Sequence, residues 1–280
     1  MKKLNISIIF YLLRFIAADD TFFFSNWRDY PACRLGRLQS PIEIKEDDSD
    51  YSNDFSFVYQ NYNNDLNISI NKTDNLNYAL KTEDINNGGY INFERRGVIK
   101  QYKFIRAELY PGLHPINGDK SDYELHLVHK KNLEFITNKN NHFNIEDINM
   151  YLRVVLRYNQ CSIVNSDDDE LLNNLTFNKS VRLNNYSLFQ DKRAYFYEGS
   201  SLNIPCDENV NYYVVNDTFC VNETIYNEFK DNLPFTKLNT SNIFDRPLYR
   251  NFKLPNELNN NSYYIAFKII SLISLFFYFF

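Results

Sequence analysis

The sequence predicts a mainly β, single-domain protein with few helices, on three observations. Period-two alternation of apolar and polar residues dominates the middle of the chain. Helical periodicity is confined to one short segment. No internal repeat divides the 280 residues, and the stretch between two apolar termini is of ordinary size for one domain with a large core.

The alternating segments are Phe55–Tyr59, Leu66–Ile70, Tyr90–Phe93, Tyr102–Leu109, Leu125–Val128, Tyr151–Tyr158 and Val210–Val215, and each reads as a strand. The helical segment is Thr224–Leu233, with apolar Ile225, Phe229 and Leu233 on one face and Thr224 as its candidate cap. Residues 145–150 add a turn of helix. The acidic run Asp167–Glu170 lacks the spacing and glycine of a calcium-binding loop and reads as a solvated turn.

The termini read as processing signals. Lys2 and Lys3 precede an apolar stretch, Ile6–Ile16, and Ala17-Ala18 offers a small-residue cleavage site, so residues 1–18 read as a signal peptide. Residues 259–280 form a hydrophobic tail whose apolar part, Tyr263–Phe280, carries the single charge Lys268. It reads as a GPI-attachment signal, with a membrane anchor as the alternative. Residues 19–258 are then the folded domain, placed by the secretory pathway outside the cell or at its surface, with the tail as its link to the membrane. Net charge is −5 and the two signs are mixed along the chain. There is no basic stripe, which argues against nucleic acid as a partner.

In a secreted chain the four cysteines, Cys33, Cys161, Cys206 and Cys220, suggest two disulfides, and spacing leaves all three connectivities open. Glycosylation sequons begin at Asn67, Asn71, Asn174, Asn178, Asn185, Asn216, Asn222 and Asn239.

Several collinear segments resemble the α-carbonic anhydrase family. They are Trp27…Tyr30-Pro31-Ala32-Cys33…Gly36…Gln39-Ser40-Pro41-Ile42, Asn86-Asn87-Gly88 before Tyr90-Ile91-Asn92, Glu124-Leu125-His126-Leu127-Val128-His129, Gly199-Ser200-Ser201-Leu202…Pro205-Cys206…Glu208, and Arg246-Pro247-Leu248. The resemblance spans most of residues 22–250. It implies an α+β domain with a large central twisted, mostly antiparallel sheet, short peripheral helices and a conical cleft. It also implies a disulfide between Cys33 and Cys206, which leaves Cys161 with Cys220.

The activity that the resemblance implies needs three neutral imidazoles on Zn²⁺ with a fourth position open to water, whose pKa the metal lowers to about 7. The chain has four histidines, His114, His126, His129 and His142. His126 matches the third ligand. The other two belong on an earlier strand as His-x-His, and no histidine precedes residue 114. The resemblance puts Lys103 and Ile105 at those places, flanking Phe104; a shift of one offers Tyr102, Phe104 and Arg106. A lysine has three donors and no acceptor, so it replaces a metal rather than binding one. Lys103 therefore has an anion-binding reading beside a bland one in which it points outward.

The other matched positions are altered as well. Asn203 stands where the family has a hydroxide-orienting threonine, Leu113 where it has the glutamate that fixes that threonine, and Gly89 where it has the proton-shuttle histidine. Asn92 keeps a cleft-lining polar side chain, and Glu124 is expected to hydrogen-bond His114. Strand alternation sends His129 to the face opposite His126, and His142 reads as a loop residue.

The resulting expectation is a secreted or cell-surface carbonic-anhydrase-like protein without hydratase activity. Its cleft would be lined by His126, Lys103, Ile105, Asn203, Gly89, Asn92, Glu124 and His114. It would have no resident cofactor or metal, no intact catalytic set, and a surface protein or glycan as partner. The alternative is an active zinc carbonic anhydrase with a rebuilt metal site.

Overall fold

The computed structural model describes residues 30–61, 68–72, 78–82, 89–132, 150–164, 171–172, 192–202, 206–232, 241, 246–255 and 257. Within them eleven strands form one mixed sheet. In chain order they are β1 (Asp50–Tyr51), β2 (Phe55–Asn61), β3 (Ile68–Lys72), β4 (Tyr78–Thr82), β5 (Tyr90–Arg95), β6 (Val98–Pro111), β7 (Tyr123–Lys131), β8 (Tyr151–Gln160), β9 (Ala194–Gly199), β10 (Val210–Val221) and β11 (Leu248–Arg250). Their order across the sheet is β1-β11-β9-β10-β8-β7-β6-β4-β3, with β5 also on β6 and β2 on β5. The ladders β1–β11 and β8–β10 are parallel and the others antiparallel. Two short α-helices flank the sheet among the described residues, α1 (Pro31–Leu35) and α2 (Glu223–Asn232).

β6 organises the sheet. β7 runs along one of its edges, and the other edge is shared by β5, against Val98–Lys103, and β4, against Arg106–Leu109. The β5–β6 hairpin turns tightly at Arg96 and Gly97, both with positive φ (50° and 73°), the conformation a two-residue hairpin needs. Where the chain leaves β6, Gly112 packs on Ser121. A Cβ there would lie 1.9 Å from the Ser121 carbonyl oxygen, so only glycine fits.

A β-bulge falls at Ile105, because Phe104 pairs with His129 while Arg106 pairs with Val128. The extra residue changes which side chains face which way. Tyr102, Phe104, Ala107 and Leu109 all enter one core with Leu125, Leu127, Val154, Phe196 and Tyr213. The opposite face packs Ile42, Ile44, Val155, Tyr195, Tyr197, Tyr212 and Val214 into a second core. Arg106, Glu108 and Tyr110 share that second face with His126.

Each expected strand is present, extended by up to several residues. For Leu66–Ile70 the described part is Ile68–Lys72. The sequence pattern did not give β9, whose Tyr195 and Tyr197 enter one core while Ala194 and Phe196 enter the other. A strand buried on both sides shows no polar alternation. The expected helix forms as α2, but Asn222 caps it rather than Thr224: its Oδ1 accepts the Ile225 N–H at 3.0 Å. Residues 145–149 and 167–170 lie outside the described residues.

The disulfides are Cys33–Cys206 and Cys161–Cys220, as the resemblance implied. The first spans 173 residues, and closing so long a loop stabilises by on the order of 5 kcal/mol in the chain-entropy account. It stands beside a polar clasp. Ser40 and Ser200 exchange hydrogen bonds, Ser40 N–H to Ser200 Oγ (3.0 Å) and Ser200 N–H to Ser40 Oγ (3.1 Å). Arg246 donates to the Gln39 carbonyl at 2.6 Å, and Glu208 accepts the Leu38 N–H at 2.6 Å. The sequence motifs around Gln39, Gly199 and Arg246 are thus one structural contact.

Candidate functional site

The site lies on the second face, where β6, β7 and β8 run side by side. Pro111 pairs with Tyr123 at the end of the β6–β7 ladder, so Tyr110 falls opposite Glu124 and Glu108 opposite His126. On the other side of β7, Glu124 faces Arg157, His126 faces Val155 and Val128 faces Arg153. Strand alternation then gathers Arg106, Glu108, Tyr110, Glu124, His126 and Arg153 on one buried surface.

Two polar networks meet at His126. The first centres on Glu124, which is fully buried. Its Oε1 accepts the backbone N–H of Leu113 (2.8 Å) and of His114 (2.6 Å). Its Oε2 accepts from His114 Nδ1 at 2.7 Å and from His126 Nε2 at 3.0 Å. The far nitrogen of His114 meets the Tyr197 hydroxyl at 2.7 Å, and Tyr197 stacks on Tyr212 with ring centroids 4.8 Å apart. Burial alone would raise the Glu124 carboxyl, but the His114 ring beside it and the two imidazole hydrogen bonds hold it well below the usual carboxylate range.

The second network centres on Glu108. Arg153 Nη1 donates to its Oε2 at 2.5 Å, Arg106 Nε to its Oε1 at 2.5 Å, and the Tyr110 hydroxyl to Oε2 at 2.7 Å. Burial opposes the charge of Glu108, yet Arg153, then Arg106, and the hydrogen bonds of Arg106 and Tyr110 outweigh it and keep the carboxyl ionised. Burial and the neighbouring carboxylate raise the Tyr110 phenol, so it stays protonated and donates.

The networks join at His126 Nδ1, which lies 3.4 Å from Arg153 Nη1. Burial pushes the His126 imidazole down to about 4, against the upward pull of Glu124. A neutral ring with its Nε2 proton on Glu124 leaves Nδ1 as the nitrogen with a free lone pair. The group facing that lone pair is a guanidinium, which donates and never coordinates a cation.

The described residues contain one cluster whose atoms suit a metal ion, His114, Glu124 and His126, with ligating atoms within 4.8 Å of one another. Both ring nitrogens of that cluster point at the same carboxylate oxygen at hydrogen-bond distance, and the carboxylate already accepts four hydrogen bonds. At the other nitrogen of His126 the neighbour is the Arg153 guanidinium, itself held by Glu108. This donor set does not fit a zinc ion held by three imidazoles.

The structure brings three of the eight expected cleft residues together: His114, Glu124 and His126. Lys103 lies elsewhere, paired with Lys130 and Tyr90. Ile105 sits in the bulge. The expected register is therefore corrected: the residues beside His126 are Glu108 and Tyr110, not Lys103 and Ile105, and of the alternative set Tyr102, Phe104 and Arg106 only Arg106 joins them, through Glu108. Gly89 (φ 87°) accepts the Phe104 N–H through its carbonyl, and Asn92 accepts from Gln101 Nε2 at 3.2 Å. Asn203 and His142 lie outside the described residues. His129 is on the first face, against Phe104, with ring centroids 5.4 Å apart. Sequence reasoning missed Glu108, Tyr110 and Arg153. Counting back from the pairing of Pro111 with Tyr123 would have found Glu108, because ladder partners step in opposite directions.

Comparisons with known proteins agree with this fold. Residues 24–266 match the eukaryotic-type carbonic anhydrase family. No curated protein matches the chain. A halotolerant carbonic anhydrase from Dunaliella salina superposes with TM-score 0.59 at 17% identity, over 79% of this chain and 90% of that one. Dioscorin complexed with ascorbate superposes with TM-score 0.61 at 17% identity, over 81% and 91%. The Photobacterium profundum α-carbonic anhydrase gives 0.62 at 14% identity, over 80% and 94%. The fold is that of the α-carbonic anhydrases. The chain belongs to the eukaryotic-type carbonic anhydrase family.

Proposed function

We propose that this family member does not hydrate carbon dioxide and works instead as a binding or structural module outside the cell or at its surface. One observation carries the reading. Glu108 stands directly opposite His126 and is paired with Arg153, so a protein-borne cation lies beside the one lone pair that is free to bind metal. Without a metal no group here supplies hydroxide at neutral pH.

The two disulfides support an oxidising compartment, which agrees with a signal peptide at residues 1–18. No helix among the described residues is long and apolar enough to cross a membrane. In this reading the tail at 259–280 supplies the membrane attachment, as a GPI signal or a membrane anchor. Of the sequons, Asn216 and Asn222 lie on the described surface, both partly exposed. The partner class is a surface protein or a glycan, and nucleic acid is not among the expected partners.

A second reading has one observation in its favour. The His114, Glu124 and His126 cluster offers a rebuilt metal site and with it zinc-dependent hydration. Stopped-flow hydration of carbon dioxide by the purified protein, with zinc supplied and a sulfonamide as control, separates the two. The main reading expects the uncatalysed rate; sulfonamide-sensitive turnover would replace it with the second.

A further inference from the structure

On the opposite side of the sheet from His126, under the β5–β6 hairpin, lies a cavity of about 290 Å³. That is room for roughly ten water molecules at their liquid volume. Phe93 and Tyr102 form apolar walls and Arg95, Arg96 and Lys100 line it with positive charge. Arg95 is already paired with Glu198 and lies over the Phe196 ring, 4.8 Å from its centroid. Arg96 has no carboxylate partner among the described residues; its guanidinium donates to the Tyr249 hydroxyl at 3.3 Å.

Asn211 is the informative residue. It is 5% exposed and lines the cavity, and its side-chain amide makes no hydrogen bond among the described residues. The amide atoms of Asn211 open onto the cavity, where a bound group can replace the water that meets them. An amide offers both a donor and an acceptor, which suits a polar substituent more than a bare ion.

We infer that this cavity binds a small organic anion, a carboxylate or phosphate ester on a ring-sized apolar body. The anionic group meets Arg96 and Lys100, the body lies against Phe93 and Tyr102, and Asn211 fixes the orientation. The site is separate from the His126 cluster, so the outcome of the zinc question does not bear on it.

Calorimetric titration of the purified full-length protein with phenyl phosphate and with benzoate tests the inference. Neutral phenol and inorganic phosphate serve as the half-ligand controls. At least one aromatic anion should bind about tenfold more tightly than either control, a difference of about 1.4 kcal/mol. Asn211→Asp and Arg96→Glu should each lower that affinity by a similar factor without changing the melting temperature, while Lys230→Glu on the remote helix α2 leaves it unchanged. Failure of both aromatic anions to bind, or binding that is indifferent to Asn211→Asp and Arg96→Glu, would overturn the assignment.

Discussion

Glu108 and His126 are direct partners across the β6–β7 ladder, and the carboxylate of the first holds Arg153 within 3.4 Å of the second. A single pairing register thus puts an anion, its counter-cation and an imidazole at one buried point.

The ion pair should be costly to break and cheap to remove whole. Arg153→Met leaves Glu108 buried with only Arg106 and Tyr110, and a loss of about 3–5 kcal/mol is expected. The double variant Glu108→Leu with Arg153→Met should be more stable than Arg153→Met alone. Urea denaturation of the two single variants and the double variant closes the cycle. Additive losses would mean that the two side chains do not act as a unit.

Acid should weaken the fold before the carboxylates titrate. Burial holds His126 and His129 at about 4, below their ordinary 6.5. Both are neutral when folded, so the unfolded chain binds more protons between those values. Their contribution is complete above pH 6.5 and is lost as pH falls through about 4. Each ring accounts for on the order of 3 kcal/mol. Denaturation midpoints should fall steadily across this window, and His129→Phe should flatten part of the slope. Below it, protonation of Glu108 and Glu124 adds a further loss. A midpoint independent of pH between 6.5 and 4 would contradict the burial of these rings.

Restoring imidazoles should restore metal binding. Glu108 and Tyr110 share a face with His126, and Glu124 holds His126 Nε2, which leaves Nδ1 as the nitrogen beside Arg153. The triple variant Glu108→His, Tyr110→His, Arg153→Val should take up one zinc ion per chain. Glu108→His and Tyr110→His with Arg153 retained should bind far more weakly, because the guanidinium still repels the ion. Competition with a chromogenic chelator measures both. Equal affinities would remove Arg153 from the argument.

Much of this was legible in the sequence. Alternation located the strands that have one polar neighbour, and the motifs around Gln39, Glu124, Gly199 and Arg246 gave the family and the disulfide pairing. β9 was invisible because both of its faces are buried. The register of β6 was not legible because the bulge at Ile105 breaks the alternation that register arguments rely on. The cation that matters, Arg153, sits on β8 in an apolar run, Leu152 to Leu156. Nothing local in that run says the arginine is paired, since its partner is 45 residues away.

The most direct measurement is metal content after equilibrium dialysis of the unmodified protein against zinc at neutral pH, followed by free-metal wash-out. With Arg153 at His126 Nδ1, no stoichiometric zinc is expected to remain. One zinc per chain that survives the wash-out, and is lost on replacing His126 with alanine, would contradict the account.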